Sequence, residues 1–166
     1  MWVRTQTRFG FRQMHLLEHK IPPPIVATLV GAAMWMAAQV SPALQIEGNL
    51  RFAIAGGFAL LGFVFAALGF AAFRRAKATV NPVKPEEASS LVMSGVYRYT
   101  RNPMYVGLAA LLLGWAVYLA APWVLLGPVL FVLFITRFQI IPEERVLSSK
   151  FGKEYSEYKQ RVRRWL

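Results

Sequence analysis

The 166-residue sequence contains no cysteine, which excludes disulfide staples, thiolate nucleophiles and cysteine-built metal sites. Histidine is nearly as scarce: His15 and His19 are the only two. They stand one helical turn apart, which would place both on one face of a helix, but no third ligand lies nearby. They read as interfacial residues, and no metal site is expected. Acids are also few, 8 against 19 lysines and arginines, for a net charge of +11. Charge is absent altogether from the longest apolar run, Phe52 to Phe73. That run makes about six helical turns, enough to cross a hydrocarbon core of ~30 Å. Val106 to Ala120, Trp123 to Thr136 and Ile25 to Val40 are further apolar runs. A soluble domain of this size would carry amphipathic helices with polar outer faces, whereas these runs are apolar all round. The expected fold is all-α: one integral membrane bundle over residues 1–166, with about four transmembrane helices. Met1 to Lys20 lacks a continuous apolar core with a small-residue cleavage site, so a cleaved signal peptide is not expected there.

The basic excess points to a membrane rather than to nucleic acid. Arg4, Arg8, Arg12 and Lys20 precede the first run, and Arg74, Arg75, Lys77, Lys84, Arg98 and Arg101 lie between the second and third. Arg145, Lys150, Lys153, Lys159, Arg161, Arg163 and Arg164 follow the fourth, while the two remaining loops hold only Arg51. This alternation predicts both termini and the central loop on the cytoplasmic side; the membrane expected is a bacterial inner membrane. The same charge attracts anionic lipid.

Phe9, Met14, Leu16 and Leu17 interleave with Arg8, Arg12, His15 and His19, the pattern of an N-terminal interfacial helix. Pro22-Pro23-Pro24 ends it and feeds the first span. Gly56, Gly57, Gly62 and Gly69 in the second span predict close helix packing, and allow self-association into a homo-oligomer. Pro85-Glu86-Glu87 reads as the start of a short helix ending at Ser94-Gly95. Only Ala121-Pro122 separates spans three and four, so they form a tight antiparallel hairpin whose inner ends lie together. Beyond Pro142, Leu147, Phe151, Tyr155, Tyr158, Val162 and Trp165 recur every three or four residues, predicting a C-terminal amphipathic cytoplasmic helix that folds back across the bundle.

Two polar clusters therefore meet at one boundary. In the first, Asn102 is placed to cap the third span with Pro103 at its first position, leaving unpaired amides and a positive dipole end. Arg98 and Arg101 beside it would make a carboxylate or phosphate receptor, and Tyr97, Tyr99 and Tyr105 offer aromatic faces to a cation. Basic residues at such a boundary also serve topology alone. In the second cluster, Glu143 and Glu144 either favour a helix dipole or hold a ligand's ammonium or hydroxyl groups. Arg137 lies inside the fourth span and is expected to line a polar cavity.

The run Gly95-Val96-Tyr97-Arg98-Tyr99-Thr100-Arg101-Asn102-Pro103-Met104-Tyr105-Val106-Gly107 resembles the first signature of the integral-membrane methyltransferases, which include isoprenylcysteine carboxyl methyltransferases and phospholipid N-methyltransferases. Glu143-Glu144-Arg145-Val146-Leu147 with Phe151-Gly152-Lys153-Glu154-Tyr155 and Tyr158 to Arg164 resembles the second. The resemblance covers about residues 79–166. It implies S-adenosylmethionine as cofactor, held by Tyr97, Arg98, Arg101, Asn102, Pro103 and Tyr105 from one side and by Glu143 and Glu144 from the other. It also implies a membrane lipid or other lipophilic acceptor. Asn102 stands where eukaryotic isoprenylcysteine enzymes have histidine, so general-base duty does not fall to it. A carboxylate acceptor would need an orienting cation, Arg137 or Arg145; an amine acceptor would need a base such as Glu143 or a tyrosine. Three other classes stay open at this point: a reductase related to sterol reductases, a small transporter or scaffold, and a lipid-surface adaptor.

Overall fold

The computed structural model describes residues 21–76 and 90–166. The N-terminal interfacial helix with His15 and His19, and the helix start at Pro85, lie outside them. Five helices carry the described chain: α1 Pro23–Gln39, α2 Gly48–Arg75, α3 Pro103–Leu119, α4 Leu126–Ile135 and α5 Ile141–Arg161. Among the described residues there is no strand; a single isolated parallel bridge joins Thr100 to Arg163.

Proline punctuation sets the starts. Pro23 and Pro103 sit in the first turns of α1 and α3, where a missing N–H costs nothing. Basic Arg74 and Arg75 close α2, favourable beside its exposed carbonyls. The α3–α4 connection is as short as expected: Ala120 takes a left-handed conformation (φ 50°) and Pro122–Leu125 forms one 3-10 turn.

α2 and α3 pack antiparallel with their backbones in contact. A Cβ on Gly62 would fall 2.8 Å from the Gly107 carbonyl oxygen, and one on Gly107 would fall 2.7 Å from that of Gly62. Only glycine permits that approach, which dispersion rewards in lipid. Gly69 faces the Met104 and Pro103 side chains, whereas Gly56 and Gly57 have open space around them. Two of the four glycines expected to pack therefore do so against α3. α1 lies on the other flank: Trp115 Nε1 donates to the Gly31 carbonyl at 3.0 Å, and Met34 fills the space left by Gly127. The main core joins Val26, Met34, Leu112, Phe131, Ile135 and Ile140.

α2 is 28 residues long and uncharged from Phe52 to Phe73, yet only 11% of its most apolar stretch is buried. A soluble core helix would be the reverse. Leu60, Phe63, Leu68 and Phe70 on α2, and Leu130 and Leu133 on α4, are exposed, which suits a hydrocarbon solvent. Among the described residues two continuous helices are long and apolar enough to cross a membrane, Gly48–Arg75 and Pro122–Arg161; α1 and α3 are apolar but 17 residues each.

Two expectations are corrected here. No separate helix begins after Pro142: α4 continues into α5 through a π-helical turn, Thr136–Ile140. A wider turn moves backbone carbonyls clear of the proline ring, which would otherwise collide with the residue four positions earlier. The fold-back occurs instead at Gly152, whose φ of 51° and ψ of −117° interrupt α5 in a region that glycine alone adopts readily. In addition, residues 90–94 are not helical, so no helix runs into Ser94-Gly95.

Candidate functional site

The site forms where the start of α1, the end of α2, the start of α3 and the π-turn share one end of the bundle. Gly95 (φ 64°) turns the chain into the 3-10 segment Gly95–Arg98. This buries Tyr97, edge-on to Phe73 with ring centroids 5.5 Å apart. Beyond Gly152, Tyr155, Tyr158 and Val162 pack beside Leu91 and Met93, and the Tyr158 hydroxyl donates to the Tyr97 carbonyl at 2.7 Å. Burial pushes the Tyr97 hydroxyl well above the usual tyrosine range, reinforced by Tyr158 and then Glu143. Tyr97 is thus fixed as a neutral phenol.

Two contacts, each spanning about forty residues of chain, join the polar clusters. Tyr105 donates its hydroxyl to Glu143 Oε1 at 2.6 Å. Arg101 Nη2 meets Glu144 Oε1 at 2.8 Å, with side-chain exposures of 10% and 14%. Arg164 completes a fork on the same carboxylate, Nε to Oε1 at 2.9 Å and Nη2 to Oε2 at 2.7 Å. That bond to Glu144 raises the already high Arg164 pKa, so its charge is permanent. Two guanidiniums on one carboxylate leave an unbalanced positive charge, and Arg101 Nε is buried with no acceptor among the described residues. A buried charged donor left open costs free energy unless an anion or water meets it.

The candidates from sequence divide clearly. Arg101, Tyr105, Glu143 and Glu144 come together. Pro103 is buried at the start of α3, and Tyr97 supports the floor. Asn102 occupies the cap position, but its side chain makes no capping bond; the Asn102 amide donates instead to the Arg164 carbonyl at 2.9 Å. This corrects the capping expectation: the bond to the Arg164 carbonyl turns the Asn102 side chain toward the C-terminal segment rather than over the first-turn N–H groups of α3, and the Asn102 backbone N–H donates to the Thr100 hydroxyl at 3.2 Å. Arg98 and Arg145 are exposed. Arg137 is half-buried in the π-turn, its guanidinium 5.4 Å from the Phe138 ring centre. The cavity on that flank is apolar, about 530 Å³ between α1 and α4, with Ile21, Val26, Phe134 and Phe138 in its walls.

Sequence reasoning missed Thr100, Gln139, Arg164 and Trp165. Thr100 and Gln139 are fully buried polar residues. The Gln139 amide donates to the Ile21 carbonyl at 2.8 Å, tying the π-turn to the start of α1. Trp165 Nε1 donates to Thr136 Oγ1 at 3.1 Å. Thr100 stood only inside the first signature run, Arg164 in a basic tail and Trp165 on a helix face, and Gln139 carried no signal, so their partners were invisible.

The chain also resembles known proteins. Residues 50–154 match the model of the phospholipid methyltransferase family. An uncharacterized protein of Haemophilus influenzae is 51% identical over 63 residues, 38% of this chain and 100% of that protein. A probable protein-S-isoprenylcysteine O-methyltransferase of Oryza sativa subsp. indica is 35% identical over 106 residues, 62% of this chain and 54% of the plant protein. Protein-S-isoprenylcysteine O-methyltransferase B of Arabidopsis thaliana is 37% identical over 83 residues, 48% of this chain and 41% of that protein. The chain thus spans about half the length of the curated plant relatives it matches. No solved structure matches it. With its tyrosine, arginine and paired glutamates gathered at one end of an apolar helical bundle, the chain belongs to the phospholipid methyltransferase family.

Proposed function

We infer that this protein is an integral membrane methyltransferase that takes its methyl group from S-adenosylmethionine and transfers it to an amphiphilic acceptor. The observation that carries this reading is the joining of the two signatures by Arg101–Glu144 and Tyr105–Glu143. The donor set fits the cofactor's chemistry. Arg101, with its open buried Nε, and the amide end of α3 suit a carboxylate. Glu143 suits an ammonium or ribose hydroxyls, and the buried tyrosines give the site a low-dielectric wall. Glu144 is taken up by two arginines, so its part is to hold them rather than to meet the ligand.

When bound, the cofactor supplies an electrophilic methyl group. The chain's own residues bind, orient and exclude water, which is most of what an in-line displacement requires. Tyr97 stays protonated and is no base. Glu143, bonded to the Tyr105 hydroxyl, is the carboxylate placed to take a proton from an amine acceptor; a carboxylate acceptor needs only a cation, Arg137 or Arg145. The four apolar helices cross the membrane as α1 up, α2 down, α3 up and α4 down, with residues 1–166 as one domain. The site faces the cytoplasm of a bacterial cell, the side of the Lys/Arg-rich segments. The test is transfer of tritium from labelled S-adenosylmethionine into a lipid extract of the native host. A labelled lipophilic product supports the reading. Label confined to water-soluble products, or no transfer, contradicts it.

A further inference from the structure

Arg163, Arg164 and Trp165 lie beyond the stretch that the family model matches, which ends at 154, yet they are bound to the site by backbone and side chain alike. The Arg163 carbonyl accepts the Arg101 backbone N–H at 3.0 Å. The Arg164 carbonyl accepts the Thr100 hydroxyl at 3.3 Å and the Asn102 amide at 2.9 Å. The Arg164 guanidinium forks Glu144, and Trp165 reaches the π-turn through Thr136. Three consecutive residues thus bind the loop before α3, the first turn of α5 and the end of α4. A tail serving topology or lipid attraction alone would keep its guanidinium in water. Arg164 instead closes on a carboxylate only 14% exposed.

We propose that Arg164 is a positioning residue for the methyl-donor site: it acts through Glu144 and its own carbonyl to hold Arg101 and Asn102 in their binding orientation. This rests on the function inferred above. Glu144 Oε1 accepts from both Arg101 Nη2 and Arg164 Nε, so one oxygen couples the two guanidiniums. Without Arg164 the carboxylate keeps one partner and is free to rotate, and Arg101 loses the fixed anchor that aims its open Nε. Lysine would not replace it, because a point charge cannot fork two oxygens.

The experiment uses the full chain in detergent, with S-adenosylhomocysteine as the calorimetric probe, for wild type, R164A, E144Q and the double variant. R164A is expected to weaken binding about tenfold, the scale of losing charged hydrogen bonds. The double variant is expected to bind within about twofold of E144Q, because the two residues act through one contact. In turnover, R164A raises the donor KM while kcat changes less. Unchanged affinity in a folded R164A, or fully additive losses, would overturn the proposal. If wild type itself binds no probe, the methyl-donor reading fails separately, and the clasp is then judged by amide exchange. Exchange at the Arg101 N–H about tenfold faster in R164A than in wild type supports it; equal exchange overturns it.

Discussion

Glu143 and Glu144 are neighbours in sequence that face different partners, a tyrosine hydroxyl and a pair of guanidiniums. Helix-dipole stabilisation would need neither contact, since exposed acids serve that purpose equally well. Each contact makes a separate prediction. Y105F removes the donor from Glu143 while keeping the ring; the loss should be about 1–3 kcal/mol of stability, seen as a lower melting temperature, together with weaker probe binding. E144A leaves Arg101 buried with no partner. Breaking a buried pair this way costs about 3–5 kcal/mol, and the low end applies because Arg164 is 36% exposed. If E144A melts like wild type, the clasp carries no energy.

Among the elements, the α2–α3 contact rests on a few glycines. G107L forces a side chain into the Gly62 backbone, and overpacking of this kind costs about 1–3 kcal/mol or more. G57A meets open space and should leave the melting temperature unchanged. Equal effects of the two would contradict the packing described. G152A should cost about 1–3 kcal/mol, because φ 51° with ψ −117° is hostile to a side chain. The apolar helices, the tight α3–α4 turn and the amphipathic face of α5 were legible in the sequence, since apolar runs and periodicity are local signals. The π-turn was not legible. Pro142 looks like a stop, and whether a helix ends or widens there depends on neighbours such as Ile21 and Trp165 that hold the turn from outside.

Taken whole, the molecule places the starts of α1 and α3 and the end of α4 together, with the α1–α2 and α3–α4 turns at the other end; Leu44 N–H, bonded to the Ala120 carbonyl at 2.7 Å, joins those turns. The absence of cysteine makes this arrangement testable by single introduced thiols. S149C should react with an impermeant maleimide from the cytoplasmic face only, and Q45C from the opposite face only. Labelling of both from one face would contradict the crossing scheme. The meeting of the Asn102 and Glu143 regions followed from a short hairpin between two apolar runs. The part played by Arg164 did not, because a basic C-terminal tail has many ordinary uses and only distances single one out. Calorimetric titration of S-adenosylhomocysteine into the purified wild-type chain, with Y105F and E144A alongside, is the most direct test. The account predicts saturable one-to-one binding that both variants weaken by about tenfold or more. Absence of binding to a folded wild-type protein, or equal binding by all three, would contradict it.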